Sequence, residues 1–137
     1  MIYAVIDTNV LVSALLSRYA DAATVQVVAA ISKSGICPLY NKEILDEYTE
    51  VLSRPKFGLP SRTVTSIITK IQDVGIAEER IQSTEHFPDP KDVVFYEVAL
   101  SKEEAYLVTG NTKHFPKTPI VVTPTEMLDI LQREGIL

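Results

Sequence analysis

The chain has no tryptophan and only one cysteine among its 137 residues. A single thiol cannot form an internal disulfide, so the fold does not rest on the cross-links that hold small secreted domains together. Cys37 sits between Ile36 and Pro38 with no local partner to activate it, and it reads as a small buried hydrophobe. Long apolar runs are missing as well. Each breaks before the roughly 18 residues that a membrane-spanning helix needs, and MIYAVIDTNV shows neither a basic leader nor a small-residue cleavage site. No membrane partner and a cytoplasmic location are therefore expected. Basic charge is in the minority: thirteen Lys and Arg face eighteen Asp and Glu, for a formal net charge of −5. That balance argues against broad electrostatic coating of nucleic acid. A nuclease stays open, because carboxylates that hold a divalent cation contribute to such an excess and the cation inverts the field a phosphate feels.

Absent motifs narrow the field further. There is no GxGxxG and no P-loop glycine-lysine signature, which removes dinucleotide and P-loop readings. Neither a GxSxG elbow nor zinc-type Cys/His spacing occurs. The residue two after Asp7 is Asn9, so the DxD pair of a haloacid dehalogenase-type phosphatase is missing.

What is present suits one globular domain over residues 1–137. Hydrophobic residues make up 46% and charged residues 23%, and a chain of this length buries about two thirds of its unfolded surface. Strand candidates are 2–6, 36–40, a weak 76–82, 106–109 and 120–122. Helix candidates are 8–17, 22–34, a segment capped by Asn41 that runs to about Ser53, one capped by Ser61 that stops near Gly75, 90–102 and 125–133. Strands alternating with helices predict an α/β fold whose parallel sheet is covered on both faces. Ligands of such sheets bind beyond the carboxyl ends of the strands. Asp7, directly after the first strand, and Asn111, just past another, belong to that edge.

The candidate residues fall at four places. Asp7, in IDTNV, suits either a helix N-cap or a ligand for a hard cation such as Mg²⁺, which takes one or two carboxylates plus water and phosphate oxygens. On the third helix, Ile44, Leu45, Tyr48, Val51 and Leu52 form the apolar stripe at about 100° per residue. Glu47 borders that stripe while Asp46 and Glu50 point away, so Glu47 is the acid expected to reach inward. In PDPKDVVFYEVAL, Asp89 fits an N-cap and Pro90 the first helical position. Asp92 then lies in the first turn of a helix apolar nearly all round, where a desolvated carboxylate needs a partner. Glu97 interrupts that run and reads as a salt-bridge residue. In LVTGNTKHF, Asn111 can accept hydrogen bonds, Thr109 can orient a water or phosphate, and Lys113 can contact phosphate. For His114 an exposed turn is the preferred reading.

Taken in order, IDTNVLVSALL, NKEILDEYTEVLSRPKF, DPKDVVFYEVAL and YLVTGNTKHFP resemble a PIN-domain protein of the toxin-nuclease branch, over about residues 2–124. The resemblance implies a PIN-like three-layer α/β/α fold with a central parallel sheet. It also implies an acid cluster that binds Mg²⁺ or Mn²⁺ for hydrolysis of RNA, with Asp7, Glu47 and Asp92 as metal ligands and Asn111 beside them in the catalytic set. Many members carry a fourth acid where this chain has Asn111. A homodimer and, for a toxin, a small antitoxin protein are the partners the family implies. The alternative is a catalytically weak or inactive PIN-fold module that binds RNA or protein. A receiver-type phosphoacceptor is a third reading, disfavoured by the lack of an adjacent acidic pair at the first strand end.

Overall fold

A computed structural model describes residues 1–137. Five strands, β1 (Ile2–Ile6), β2 (Ile36–Tyr40), β3 (Ile76–Ala77), β4 (Tyr106–Val108) and β5 (Val121–Val122), form one sheet in the order β3-β2-β1-β4-β5. Every neighbouring pair is parallel, with Ile2 opposite Ile36 and Ala4 opposite Tyr106 on the two sides of β1. Six helices complete a three-layer α/β arrangement: α1 (Thr8–Leu16), α2 (Ala23–Ser32), α3 (Lys42–Leu52), α4 (Ser61–Val74), α5 (Val93–Ala99) and α6 (Pro124–Arg133). Strand β1 is apolar throughout because helices cover it on both faces, and Ala4, Val5 and Ile6 are completely buried.

The chain steps from β1 outward to β2 and β3, then crosses back to place β4 on the other side of β1. The β1/β4 boundary is therefore the topological switch point, where strands leave in opposite directions and their carboxyl ends open a crevice.

Several boundaries differ from the sequence expectation. Helix α4 begins at Ser61 with Pro60 as its cap, so Ser61 is a first-turn residue and not the cap. At its far end Gly75 is required for a close approach, since a Cβ there would stand 2.3 Å from the Pro38 carbonyl oxygen and 2.5 Å from that of Ile71. Strand β3 ends at Ala77 and does not reach residue 82, because the backbone turns its hydrogen bonds elsewhere. Ile81 N donates to the Glu97 carbonyl and Ser83 N to the Glu97 carboxylate, so this stretch is tied to α5 instead of β2. The expected helix 90–102 splits into a 3₁₀ turn over Pro90–Asp92 and the shorter α5. The Asp89 side chain does cap it, accepting from Lys91 N at 2.9 Å, and the Asp92 N–H closes an i→i+3 bond to the Asp89 carbonyl.

Candidate active site

Asp7 leaves β1 at the switch point, and its backbone N–H donates to the Val108 carbonyl at the end of β4. Its side chain makes no N-cap hydrogen bond to α1, although the backbone occupies the cap position. The carboxylate is held from the other side instead: Oδ2 accepts from the Thr109 hydroxyl at 2.7 Å and from Asn9 Nδ2 at 3.1 Å. Asn9 reaches across to the turn after β4 as well, accepting from Gly110 N at 3.1 Å. With only 7% of its surface exposed, Asp7 has its pKa raised from 3.8 to about 6, chiefly by burial. Asp92 and Glu47 push it further up, while the Thr109 hydrogen bond opposes the rise.

Glu47 comes from α3, which is docked by its neighbour. The buried Tyr48 hydroxyl donates to the Ile6 carbonyl, one residue before Asp7, so Glu47 is delivered to the same strand end. The Thr8 hydroxyl donates to Glu47 Oε2. Asp46 and Glu50 face solvent in i,i+4 pairs with Lys42 and Arg54, as the helix-face argument predicts.

Asp92 stands in the turn that opens α5. Its pKa is raised as well, first by burial and then by the Asp89 charge, with Glu47 contributing and His114 acting against it. Its Oδ2 is buried and has no hydrogen-bond partner. Across from it stands the His114 imidazole, whose Nδ1 lies 3.5 Å away, too long a contact to satisfy that oxygen fully.

The Asn111 side chain does not stand free toward a ligand: its amide lies 3.0 Å from His114 Nε2, and its backbone N–H donates to the Thr109 hydroxyl. Thr109 is fully buried, and its hydroxyl is committed to Asp7 and Asn111. It therefore braces Asp7 in this arrangement, where the expectation had it orienting a water or phosphate. Lys113 is exposed in the 3₁₀ turn Thr112–His114 and, with Lys117, lines a groove of about 450 Å³. A second cleft of about 240 Å³, lined by Asn9, Ser13, Thr24, Gly110 and Asn111, opens beside Asp7. Glu97 is buried in the salt bridge its position suggests, with Arg80 at 2.7 Å.

Thr8 and Asn9 are the residues that sequence reasoning missed, whereas His114 is exposed in a turn as expected. Thr8 and Asn9 lie inside IDTNV, and their signal was there to be read: short polar side chains following a strand-terminal acid.

The donor set consists of hard carboxylate oxygens, with the Asp7 and Asp92 pKa values raised chiefly by burial and one buried oxygen left unpartnered. No three His, Cys, Asp or Glu side chains stand close enough to enclose an ion as they are placed. Such an open, oxygen-rich set suits a cation that keeps several of its own waters, as Mg²⁺ does.

A family model of the PIN domain matches residues 3–113. The chain belongs to the PIN-domain family, whose members are generally nucleases. Comparison with curated proteins finds no match. No helix is long and apolar enough to cross a membrane.

Proposed function

We propose that the protein is a divalent-metal-dependent endoribonuclease. What supports this reading is that Asp7, Glu47 and Asp92, from three separate elements, lie near enough at the switch point for Glu47 and Asp92 to raise the Asp7 pKa, while Asp92 keeps a buried oxygen without a partner. These three carboxylates hold the cation, Mg²⁺ or Mn²⁺. When bound, such a cation supplies charge neutralisation for the phosphodiester and a water of lowered pKa. Thr109 and Asn9 fix the orientation of Asp7, Thr8 that of Glu47, and the capped first turn that of Asp92. Lys113 offers a positive charge to the RNA backbone at the rim, where the rest of the surface is acidic on balance. The four ordered sequence motifs support the finer assignment, a cytoplasmic homodimeric toxin silenced by an antitoxin. A module that binds RNA or protein without cleaving it is the second reading, favoured by the amide at position 111.

Cleavage of RNA across Mg²⁺ and Mn²⁺ titrations separates the two. The wild type is expected to cut and to stop on chelation, and Asp92→Asn to lose at least about 100-fold in rate, more than is usual for an outer-shell change. Asn111→Asp is expected to bind metal more tightly and to cleave faster, because hard cations prefer a carboxylate to an amide and the two side chains are nearly isosteric. If wild type and Asn111→Asp both match Asp92→Asn at every metal concentration, the binding-module reading replaces catalysis.

A further inference from the structure

Asn111 occupies the place where the resembling family often has a fourth acid, and its side chain is spent on an imidazole. The 3₁₀ turn Thr112–His114 carries that imidazole back to the start of α5. There His114 Nδ1 faces Asp92 Oδ2 across 3.5 Å, and that oxygen is the buried one with no hydrogen-bond partner. A charge-assisted N–H···O bond would close to about 2.7–2.9 Å. Two ligands each about 2.1 Å from one ion lie about 3.0 Å apart at a right angle and about 3.4 Å apart at the tetrahedral angle. At 3.5 Å the two atoms are too far apart for a strong charge-assisted bond and close to the spacing of two ligands of one ion.

The opposite ring nitrogen supports the same conclusion. Nε2 lies 3.0 Å from the Asn111 amide, whose oxygen and nitrogen exchange places by a simple flip. With the oxygen turned to the ring, Nε2–H donates to it and Nδ1 is left with a free lone pair directed at Asp92. A histidine that ligates a metal almost always has its other N–H anchored in this way.

We propose that His114 Nδ1 and Asp92 Oδ2 are neighbouring ligands of one divalent ion, and that the nitrogen makes the site select a first-row transition ion over Mg²⁺. The inference rests on the metal-dependent reading above and sharpens it. Mg²⁺ takes oxygen ligands almost exclusively, whereas imidazole binds transition ions well. Asn111 is then a positioning residue that holds the ring. Being half-exposed, His114 can be replaced without disturbing the core.

The probe is Mn²⁺ alone, bound to the full chain and followed by electron paramagnetic resonance, with Mg²⁺ affinity measured by competition. Wild-type protein should show electron spin-echo modulation from a directly bonded ¹⁴N. His114→Ala and His114→Gln should lose that modulation and bind Mn²⁺ about tenfold or more weakly, the scale of a lost ligand interaction. Mg²⁺ affinity should stay within about twofold of wild type, since that ion makes no use of the nitrogen. Bound Mn²⁺ without nitrogen modulation, or equal weakening of both metals in His114→Ala, overturns the ligand assignment. If RNA cleavage persists in that case, the nuclease reading survives. If neither metal binds wild-type protein, both readings fall together.

Discussion

Replacing Asp7 by Asn is expected to raise the melting temperature of the metal-free protein at neutral pH while abolishing RNA cleavage. Burial, reinforced by Asp92 and Glu47, lifts the Asp7 pKa from 3.8 to about 6. A carboxyl whose folded-state pKa lies above its unfolded value holds its proton more tightly when folded. Its stabilising contribution is fully present below the unfolded pKa and is lost as pH rises through about 6. Above that window the ionised Asp7 costs the metal-free fold at most about 3 kcal/mol. Asparagine stays neutral and keeps an oxygen to accept from Thr109, so the gain should reach on the order of 5 to 10 °C at neutral pH. It should shrink toward zero in acid, where wild-type Asp7 is already protonated. Adding Mn²⁺ should stabilise wild type, because the ion binds only the folded state, and should do little for the variant. Melting curves over a pH series, with and without metal, test each part. A metal-dependent shift of equal size in both proteins removes Asp7 from the site.

The largest loss of stability is expected from Arg80→Met. Arg80 donates to Glu97 on α5 at 2.8 Å and to both carboxylate oxygens of Glu43 on α3 at 3.1 and 3.0 Å. It thus ties α3, which bears Glu47, to α5, which follows directly on Asp92. The partners are unequal: the Glu97 side chain is 7% exposed, whereas that of Glu43 is 57% exposed. Taking Arg80 away strands a buried carboxylate whose remaining side-chain hydrogen bond comes from Ser83 N. An uncompensated buried charge costs about 3–5 kcal/mol, and since Arg80 is itself partly exposed we expect about 2–3 kcal/mol. Glu43→Ala removes only the exposed arm and should cost under about 1 kcal/mol. The double change Arg80→Met with Glu97→Leu should recover part of the loss, because no charge is then left in the interior. Chemical denaturation of the four proteins measures these differences. Equal losses for Arg80→Met and Glu43→Ala would show that the bridge to Glu97 contributes nothing.

The sequence disclosed the fold where periodicity carried the information. The unbroken apolar run of β1 and the stripe on α3 indicated buried elements, and the same stripe separated Glu47 from Asp46 and Glu50. Prolines and caps placed Asp89 and the start of the α5 region to within a turn. What stayed hidden depends on partners far away in the chain. Nothing local to Ile76–Gln82 says that Arg80 and Ser83 will be drawn to Glu97, which shortens β3 to two residues. Thr109 looked available for substrate because it follows a strand at the ligand-binding edge, yet Asp7, 102 residues away, claims its hydroxyl. His114 looked like a surface turn residue, and only the packing of that turn on α5 reveals its neighbour.

The lone thiol gives the molecule a built-in clock. Cys37 is the second residue of β2, 4% exposed, with Sγ directed at the Val74 carbonyl where α4 ends, and burial raises its pKa. With so little surface exposed, it meets a small thiol reagent fully only when the layer packed over it opens. Labelling is therefore paced by the opening of that layer, and modification at this one position records how often the layer opens during the native protein's lifetime.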